Sequence, residues 1–290
     1  MSSVARNLAI FAGALVLLFG AGALAGRLID PAAPGGDAEA HDASSEEMND
    51  MSGAHTAMAA DPVRGLAVAE HDLRVVVDDP ELRRGATEQL RFRVVDKRGE
   101  TVRDFDVEHT KRMHLIVARR DLTGFQHLHP EMAADGTWST PLKLDTAGSY
   151  RIFADFSHDD EATTLATDLR VDGPAELQPL PAPRSTAVSD GGYDVRLDSG
   201  AARAGEEAEL RFTVTKDGRP VATEPYLGAD GHLVALREGD LAFLHVHPTD
   251  AAGESIGFEA TFPTTGAYRL FLQFKVDGQV QTVAFTEEVA

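Results

Sequence analysis

Two stretches of the sequence carry histidines at the same spacing. Residues 113–130 read MHLIVARRDLTGFQHLHP and residues 231–248 read GHLVALREGDLAFLHVHP, so each has an early histidine and a later His-x-His-Pro. Imidazole nitrogens ligate zinc, copper and other transition ions, and three of them are enough for a metal site. The pattern therefore indicates metal binding, and the candidate ligands are His114, His127 and His129 in the first stretch and His232, His245 and His247 in the second.

Each stretch must fold into a hairpin for its histidines to meet. Residues two apart on a strand point to the same face, so the two members of each His-x-His point together. If the two strands of the first hairpin pair so that the residue numbers in each pair add up to 243, His114 lies opposite His129. The equivalent pairing in the second stretch places His232 opposite His247. Opposed Cβ atoms lie about 4.5–5.5 Å apart, which lets imidazoles share one ion. The sequence thus predicts one three-histidine site in each stretch.

The first stretch has more donors close by than the second. Met113 and His158 are further candidate ligands, and His109 and Asp159 are nearby in the chain or in the predicted fold. In the second stretch Gly231 replaces the methionine, and the residues after Phe274 include no histidine. We expect the first site to bind more tightly or to prefer a different metal.

The residue types limit both the metal and the chemistry. The sequence has no cysteine, which excludes disulfides, thiolate ligands and a type 1 copper site. Imidazole with a nearby thioether favours copper, with zinc as the alternative, over calcium or magnesium, which prefer oxygen. The sequence contains no His-Glu-x-x-His, no nucleophile motif and no glycine-rich phosphate loop, so we expect no enzymatic activity.

A purely structural role for the histidines is the alternative hypothesis. Strand histidines commonly donate to loop carbonyls or pack over a sheet edge, and a duplicated buried network would be kept in both copies. On that hypothesis the protein is a tandem envelope scaffold or interaction module.

The strong excess of acidic residues argues against a nucleic acid partner. The chain has 27 Lys and Arg against 47 Asp and Glu, a formal charge of −20. Such a surface repels phosphate backbones, so we expect no nucleic acid partner. The expected partners are a metal ion and an envelope protein.

The N-terminus resembles a membrane segment. Residues 8–26 are uncharged and are flanked by Arg6 and Arg27, and they are long enough to cross a bilayer. We expect a short cytoplasmic tail, 1–7, and a single-pass anchor that leaves the bulk of the chain outside the cytoplasm. The alternative is a secreted protein whose signal peptide is cleaved near the small-x-small pattern at residues 23–25.

Residues 31–61 have the composition of a disordered acidic tether, since they contain no Lys or Arg and few large apolar residues. Their histidines and methionines would share one face of a helix, an arrangement that suits Cu(I). A solvated linker with incidental methionines is the other interpretation. The residues concerned are His41, Met48, Met51, His55 and Met58.

Beyond the tether the chain is an internal duplication. Aligning His114 with His232 without gaps over 43 positions gives 15 identities. Alternating apolar and polar segments bounded by Gly, Pro and Asp predict β-strands in both copies. Tyr150 and Tyr268 each follow a Gly turn at the head of a strand, as in a tyrosine corner.

The predicted fold class is therefore all-β, with two tandem immunoglobulin-like antiparallel β-sandwiches after an N-terminal transmembrane helix. The predicted domains are residues 62–172 and 186–290, and the proline-rich residues 173–185 are a linker.

With its N-terminal apolar segment, "MHL" and "HLHP" motifs, the sequence resembles the YtkA-like and FixH-related extracytoplasmic β-sandwich proteins and, more loosely, CopC-type copper-handling domains. The resemblance covers residues 62–172 and 186–290 and implies an immunoglobulin-like fold with a role near copper handling. It departs from the CopC pattern because no free N-terminal histidine is available here.

Overall fold

The computed structural model describes residues 63–244, 246–249 and 255–290. This part of the chain consists of strands and turns, and none of it forms a helix of the length and apolarity needed to span a membrane. The predictions for the tail 1–7, the apolar segment 8–26, the tether 31–61 and His245 concern residues outside it. Both repeats belong to one compact unit.

The first repeat consists of two sheets, with strand orders β1-β2-β4-β8-β7 and β3-β10-β9-β5-β6. Its strand pairs are antiparallel except β3 with β10, which is parallel. The strands are β1 (Ala69–Glu70), β2 (Leu73–Val77), β3 (Glu81–Leu82), β4 (Thr87–Val95), β5 (His114–Arg119), β6 (Gln126–Leu128), β7 (Glu131–Met132), β8 (Trp138–Lys143), β9 (Gly148–His158) and β10 (Glu161–Val171).

The second repeat has the same plan, with sheets β11-β12-β13-β18-β17 and β16-β15-β19-β20 and with β14 paired to β13. Two repeats of an all-β fold are thus present, as the sequence predicts. The strands are β11 (Thr186–Val188), β12 (Asp194–Asp198), β13 (Glu207–Lys216), β14 (Arg219–Pro220), β15 (His232–Arg237), β16 (Phe243–Leu244), β17 (His247–Thr249), β18 (Ser255–Thr261), β19 (Gly266–Val276) and β20 (Gln279–Val289).

Strand alternation builds a separate apolar core inside each repeat. On β5, Leu115 and Val117 face the core of the first repeat, and on β15 Leu233 and Ala235 face that of the second. Burying a large apolar side chain contributes roughly 1.5–3 kcal/mol, so these two cores dominate the stability of the repeats.

Both predicted tyrosine corners are present. The Tyr150 hydroxyl donates to the carbonyl of Thr146 at 2.8 Å, and the Tyr268 hydroxyl donates to that of Thr264 at 3.0 Å. In each case the bond ties the head of a long strand, β9 or β19, to the turn before it. These bonds confirm the prediction that the Gly-x-Tyr pattern marks a strand corner.

The two repeats pack against each other through equivalent faces. Ile116 and Ala118 lie on the face of β5 that points away from the core of the first repeat. They contact Val234 and Leu236 on β15, and the four residues belong to a third apolar cluster. In the alignment of the two repeats, Ile116 corresponds to Val234 and Ala118 corresponds to Leu236. We call this contact the seam; it is a quasi-symmetric interface within one chain.

Aromatic rings reinforce the seam in equivalent positions. Phe125 stacks on Phe271 with ring centroids 4.1 Å apart and planes at 5°, and Phe153 contacts Phe243 at 5.6 Å. In the alignment Phe125 corresponds to Phe243, and Phe153 to Phe271. The seam therefore has approximate twofold symmetry, and β5 and β15 are buried on both faces.

The connection between the repeats is fastened to the first one. Arg119 pairs with Asp121, both almost fully buried. Arg119 also donates to the carbonyl of Glu176 at 3.0 Å, and Asp121 accepts from the backbone N–H of Gln178 at 2.8 Å. Burial raises the pKa of Asp121, but the hydrogen bonds from Arg119, Gln178 and Thr123 outweigh it and hold that pKa well below its ordinary value.

Candidate metal centre

The β5–β6 hairpin of the first repeat has the predicted register. Leu115 pairs with Leu128 and Ile116 with His127, so that paired numbers sum to 243. His114 begins β5 on the same face as Ile116, which is the face that meets the seam. The hairpin therefore brings His114, His127 and His129 together at one end of the seam.

The three imidazoles are close enough to share an ion. Their nearest ligand nitrogens all lie within 4.8 Å of one another. The ring centroids of His114 are 5.2 Å from His127 and 5.0 Å from His129, and those of His127 and His129 are 4.8 Å apart. We call these residues the trio.

Hydrogen bonds to carbonyl oxygens define where two of the ring protons are. Nδ1 of His127 lies 2.8 Å from Oε1 of Gln273 in the second repeat, and Gln273 donates its own amide to Thr282 at 3.2 Å. Nε2 of His114 lies 3.3 Å from the carbonyl of Glu108. Because a carbonyl oxygen can only accept, His114 carries its proton on Nε2, and with the Gln273 amide oriented so that Oε1 faces His127, His127 carries its proton on Nδ1.

These tautomers leave two nitrogen lone pairs facing each other. Nδ1 of His114 and Nε2 of His127 are 3.0 Å apart, and in the neutral rings neither carries a hydrogen. Two lone pairs at this distance repel unless a cation, either a proton or a metal ion, lies between them. With metal–nitrogen distances near 2.0–2.1 Å, two ligands of one ion are about 2.9 Å apart at a right angle and about 3.4 Å apart at a tetrahedral angle. The observed spacing lies within this range.

The outer hydrogen bonds also match a metal site. A ligating histidine almost always donates its other ring N–H to a carbonyl or carboxylate, which orients the ring and raises its basicity. Gln273 fulfils this role for His127, and the Glu108 carbonyl fulfils it for His114. Sequence reasoning missed both groups, because one comes from the other repeat and the other is backbone.

Burial keeps the trio neutral near pH 7. The pKa of His114 is lowered by burial, against an opposing effect of Asp155, and that of His127 is lowered well below its ordinary value by burial and by the neighbouring imidazoles. Burial followed by His114 and Lys111 lowers the pKa of His129 to about 4. Neutral imidazoles are the form that binds metals.

His232 joins this cluster instead of forming a second one. Its ring centroid is 6.1 Å from both His114 and His127 and 5.1 Å from His109, which lies on an exposed turn. Burial, then His109 and His114, lowers the pKa of His232 to about 4. The Nε2 atoms of His129 and His232 are both buried and have no hydrogen-bond partner among the described residues.

The second predicted site is wrong in the placement of His247. The hairpin register is as expected, with Ala235 opposite Leu244 as the last pair among the described residues. The chain then crosses to the other sheet, where His247 is exposed and pairs with Glu259 on β18. An early change of sheet therefore separates His247 from His232. Nothing is described for His245.

Two further predicted ligands point away from the trio. Met113 is buried in the core of the first repeat, because it precedes His114 on an extended chain and so faces the opposite side. His158 lies on the core-facing side of β9, where Nδ1 donates to the carbonyl of Asp104 at 2.8 Å. Neither belongs to the cluster, and the donors that remain are imidazole nitrogens.

A small cavity adjoins the histidines. Its volume is about 50 Å³, and its polar lining includes His114, His127, His232 and Asp155. Burial raises the pKa of Asp155, although the hydroxyl of Thr164, 2.6 Å away, and His114 act against this. Pockets for organic ligands measure about 300–1,000 Å³, whereas one water occupies about 30 Å³. The cavity therefore suits an ion better than an organic molecule.

Comparison with known families gives one match. The model of a domain of unknown function, DUF8832, matches residues 67–173 and again residues 186–290. The two matches agree with the internal duplication. No curated protein matches the sequence.

Three solved structures to which the chain is similar are distant in sequence and in structure. The Escherichia coli adhesin FdeC is 15% identical with a TM-score of 0.27, and the match covers 77% of this chain and 66% of the FdeC chain. A Salmonella alpha-2-macroglobulin is 14% identical with a TM-score of 0.28, and 79% of this chain covers 15% of it. Yersinia pseudotuberculosis InvD is 12% identical with a TM-score of 0.26, and the match covers 77% of this chain and 58% of the InvD chain. At these scores the likenesses support no conclusion about this chain.

Proposed function

We propose that this chain, which belongs to the DUF8832 family, is an extracytoplasmic metal-binding protein that holds a transition ion at the trio. The observation that carries the proposal is the convergence of the trio, whose ligand nitrogens lie within 4.8 Å of one another; with the Gln273 amide as oriented, the lone pairs of His114 and His127 face each other at 3.0 Å. A cation between them removes the repulsion. The orphaned Nε2 of His129 is a third donor at the same place.

The donor set suggests which ions to test. Imidazole binds zinc, copper, iron and nickel, and for a given nitrogen site Cu²⁺ generally binds more tightly than Zn²⁺. With Met113 in the apolar core, nothing in the trio favours Cu(I). We propose copper, bound as Cu²⁺, with zinc as the alternative. Buffering the ion or delivering it to an envelope partner is the biological role that we propose.

The location and fold class complete the proposal. The uncharged run at 8–26, between two arginines, supports a single-pass membrane anchor with the repeats outside the cytoplasm. The tyrosine corners support an immunoglobulin-like form of the two sandwiches. The resemblance to YtkA-like, FixH-related and CopC-type proteins is a further reason to test copper.

Metal competition titrations of the full chain test the proposal. We expect Cu²⁺ and Zn²⁺ to bind the metal-free protein at pH 7.5 with dissociation constants below about 10 μM, corresponding to roughly −7 kcal/mol. Replacing His114, His127 and His129 together by Ala should remove this binding.

The matched control replaces three other histidines, His71, His158 and His247, by Ala and should retain the binding. Equal affinities for the two triple variants would contradict the proposal. So would a wild-type protein that binds neither ion below about 10 μM. Lower thermal stability of the trio variant that is the same with and without metal would instead support purely structural histidines.

A further inference from the structure

We infer that the metal centre is shared by the two repeats, with His232 supplying a fourth imidazole from across the seam. The inference rests on the proposed function and adds to it a ligand and a consequence. The predicted arrangement was one site in each repeat, whereas the structure places one histidine of the second repeat beside the trio of the first.

The symmetry of the seam accounts for the position of His232. It is the repeat equivalent of His114, and these two residues begin β15 and β5. On each strand the histidine shares a face with the apolar residues that form the seam. The approximate twofold relation therefore sets the two rings against each other, with centroids 6.1 Å apart and planes at 25°.

The unpartnered nitrogens support a common ligand. Nε2 of His129 belongs to the first repeat and Nε2 of His232 to the second, and both are buried without a hydrogen-bond partner among the described residues. A buried polar atom in this state loses its hydration without compensation. One ion bound by the trio and by His232 would satisfy both atoms.

The distances indicate a small closure on binding. His232 is 6.1 Å from His114 and His127 between ring centroids, compared with 4.8–5.2 Å within the trio. The bond between His127 and Gln273 already holds the repeats together at this end. Ligation by His232 would shorten the remaining gap, so the bound ion would clamp the two repeats, and its release would require the seam to loosen.

Pulsed EPR of Cu²⁺ in the full chain tests the inference by counting coordinated imidazoles. Copper is added at half an equivalent so that the tightest site fills first. We expect four imidazoles in the wild-type protein, three in His232→Ala and in His232→Gln, and four in the control His247→Ala. Copper affinity should fall by at least about tenfold in the two His232 variants, since even outer partners of a ligand contribute 10- to 100-fold.

Three imidazoles in the wild-type protein, together with unchanged spectra for both His232 variants, would overturn the inference and leave the proposed function intact. Copper without imidazole coordination in the wild-type protein would refute the proposed function as well. His109→Ala should retain four imidazoles, and a loss of one there, with none lost in the His232 variants, would assign the fourth ligand to His109 instead. Near-UV circular dichroism in EDTA checks that each variant is folded. His232→Gln keeps more of the side-chain volume and tests the inference if His232→Ala does not fold.

Discussion

The metal-free protein should lose stability as the pH falls below 6.5, because the histidine cluster is buried in its neutral form. His129 and His232 have pKa values of about 4 in the folded chain, against 6.5 for a free side chain. Below pH 6.5 the unfolded chain binds protons that the folded chain does not. The loss of stability therefore begins near pH 6.5 and is complete near pH 4.

The magnitude follows from the size of the shift. One pKa unit corresponds to 1.36 kcal/mol, so each of these two histidines, taken alone, costs roughly 3 kcal/mol at pH 4. Their sum is an upper limit, because part of each shift is due to neighbouring imidazoles. Domains have net stabilities of about 5–15 kcal/mol, so the effect is large enough to measure by denaturation.

Urea unfolding of the full chain in EDTA, from pH 7.5 to pH 4.5, measures the effect. Carboxylates titrate in the same range, so the useful quantity is the difference between the wild-type protein and the double variant His129→Gln, His232→Gln. The wild-type protein should lose about 3 kcal/mol more than the double variant over this range. Parallel pH profiles for the two proteins would refute the reasoning.

Two other predictions concern the partners of the site and of the linker. Gln273→Leu removes the acceptor of the His127 ring proton, and copper affinity measured by chelator competition should fall by about 10- to 100-fold. The control is Gln281→Leu, which replaces a buried glutamine on β20. An equal fall in copper affinity in both variants would contradict the role of Gln273. Asp121→Ala leaves the Arg119 charge buried and unpaired and should lower the free energy of unfolding by about 3–5 kcal/mol in urea; a change below about 1 kcal/mol would mean that the pair does not stabilise the linker contact.

Features that depend on neighbouring residues in the chain could be predicted from the sequence. The register of the first hairpin follows from strand alternation and loop length, and it correctly brings His114 to His127 and His129. The tyrosine corners follow from a Gly-x-Tyr pattern. The strand alternation that places the trio together also implies that Met113 faces the opposite side of the strand. The same rule would therefore have excluded Met113 as a ligand.

The second site could not be predicted in the same way. The hairpin of the second repeat has the expected register, yet the chain leaves its sheet early enough to carry His247 to β18. Where a strand changes sheets depends on the packing of both sheets, which no local pattern describes. A signal for the seam did exist, because the continuous apolar runs on β5 and β15 are typical of strands buried on both faces.

The sequence by itself determined the duplication, the all-β fold and the three histidines that one hairpin brings together, because each depends on short-range spacing. Only the tertiary structure decided that the equivalent faces of the repeats meet, that Gln273 orients His127, and that His232 lies next to His114. These contacts join residues more than a hundred positions apart. They arise because each repeat has an apolar outer face that is buried most effectively by its own copy, and the histidines lie at the edge of that face.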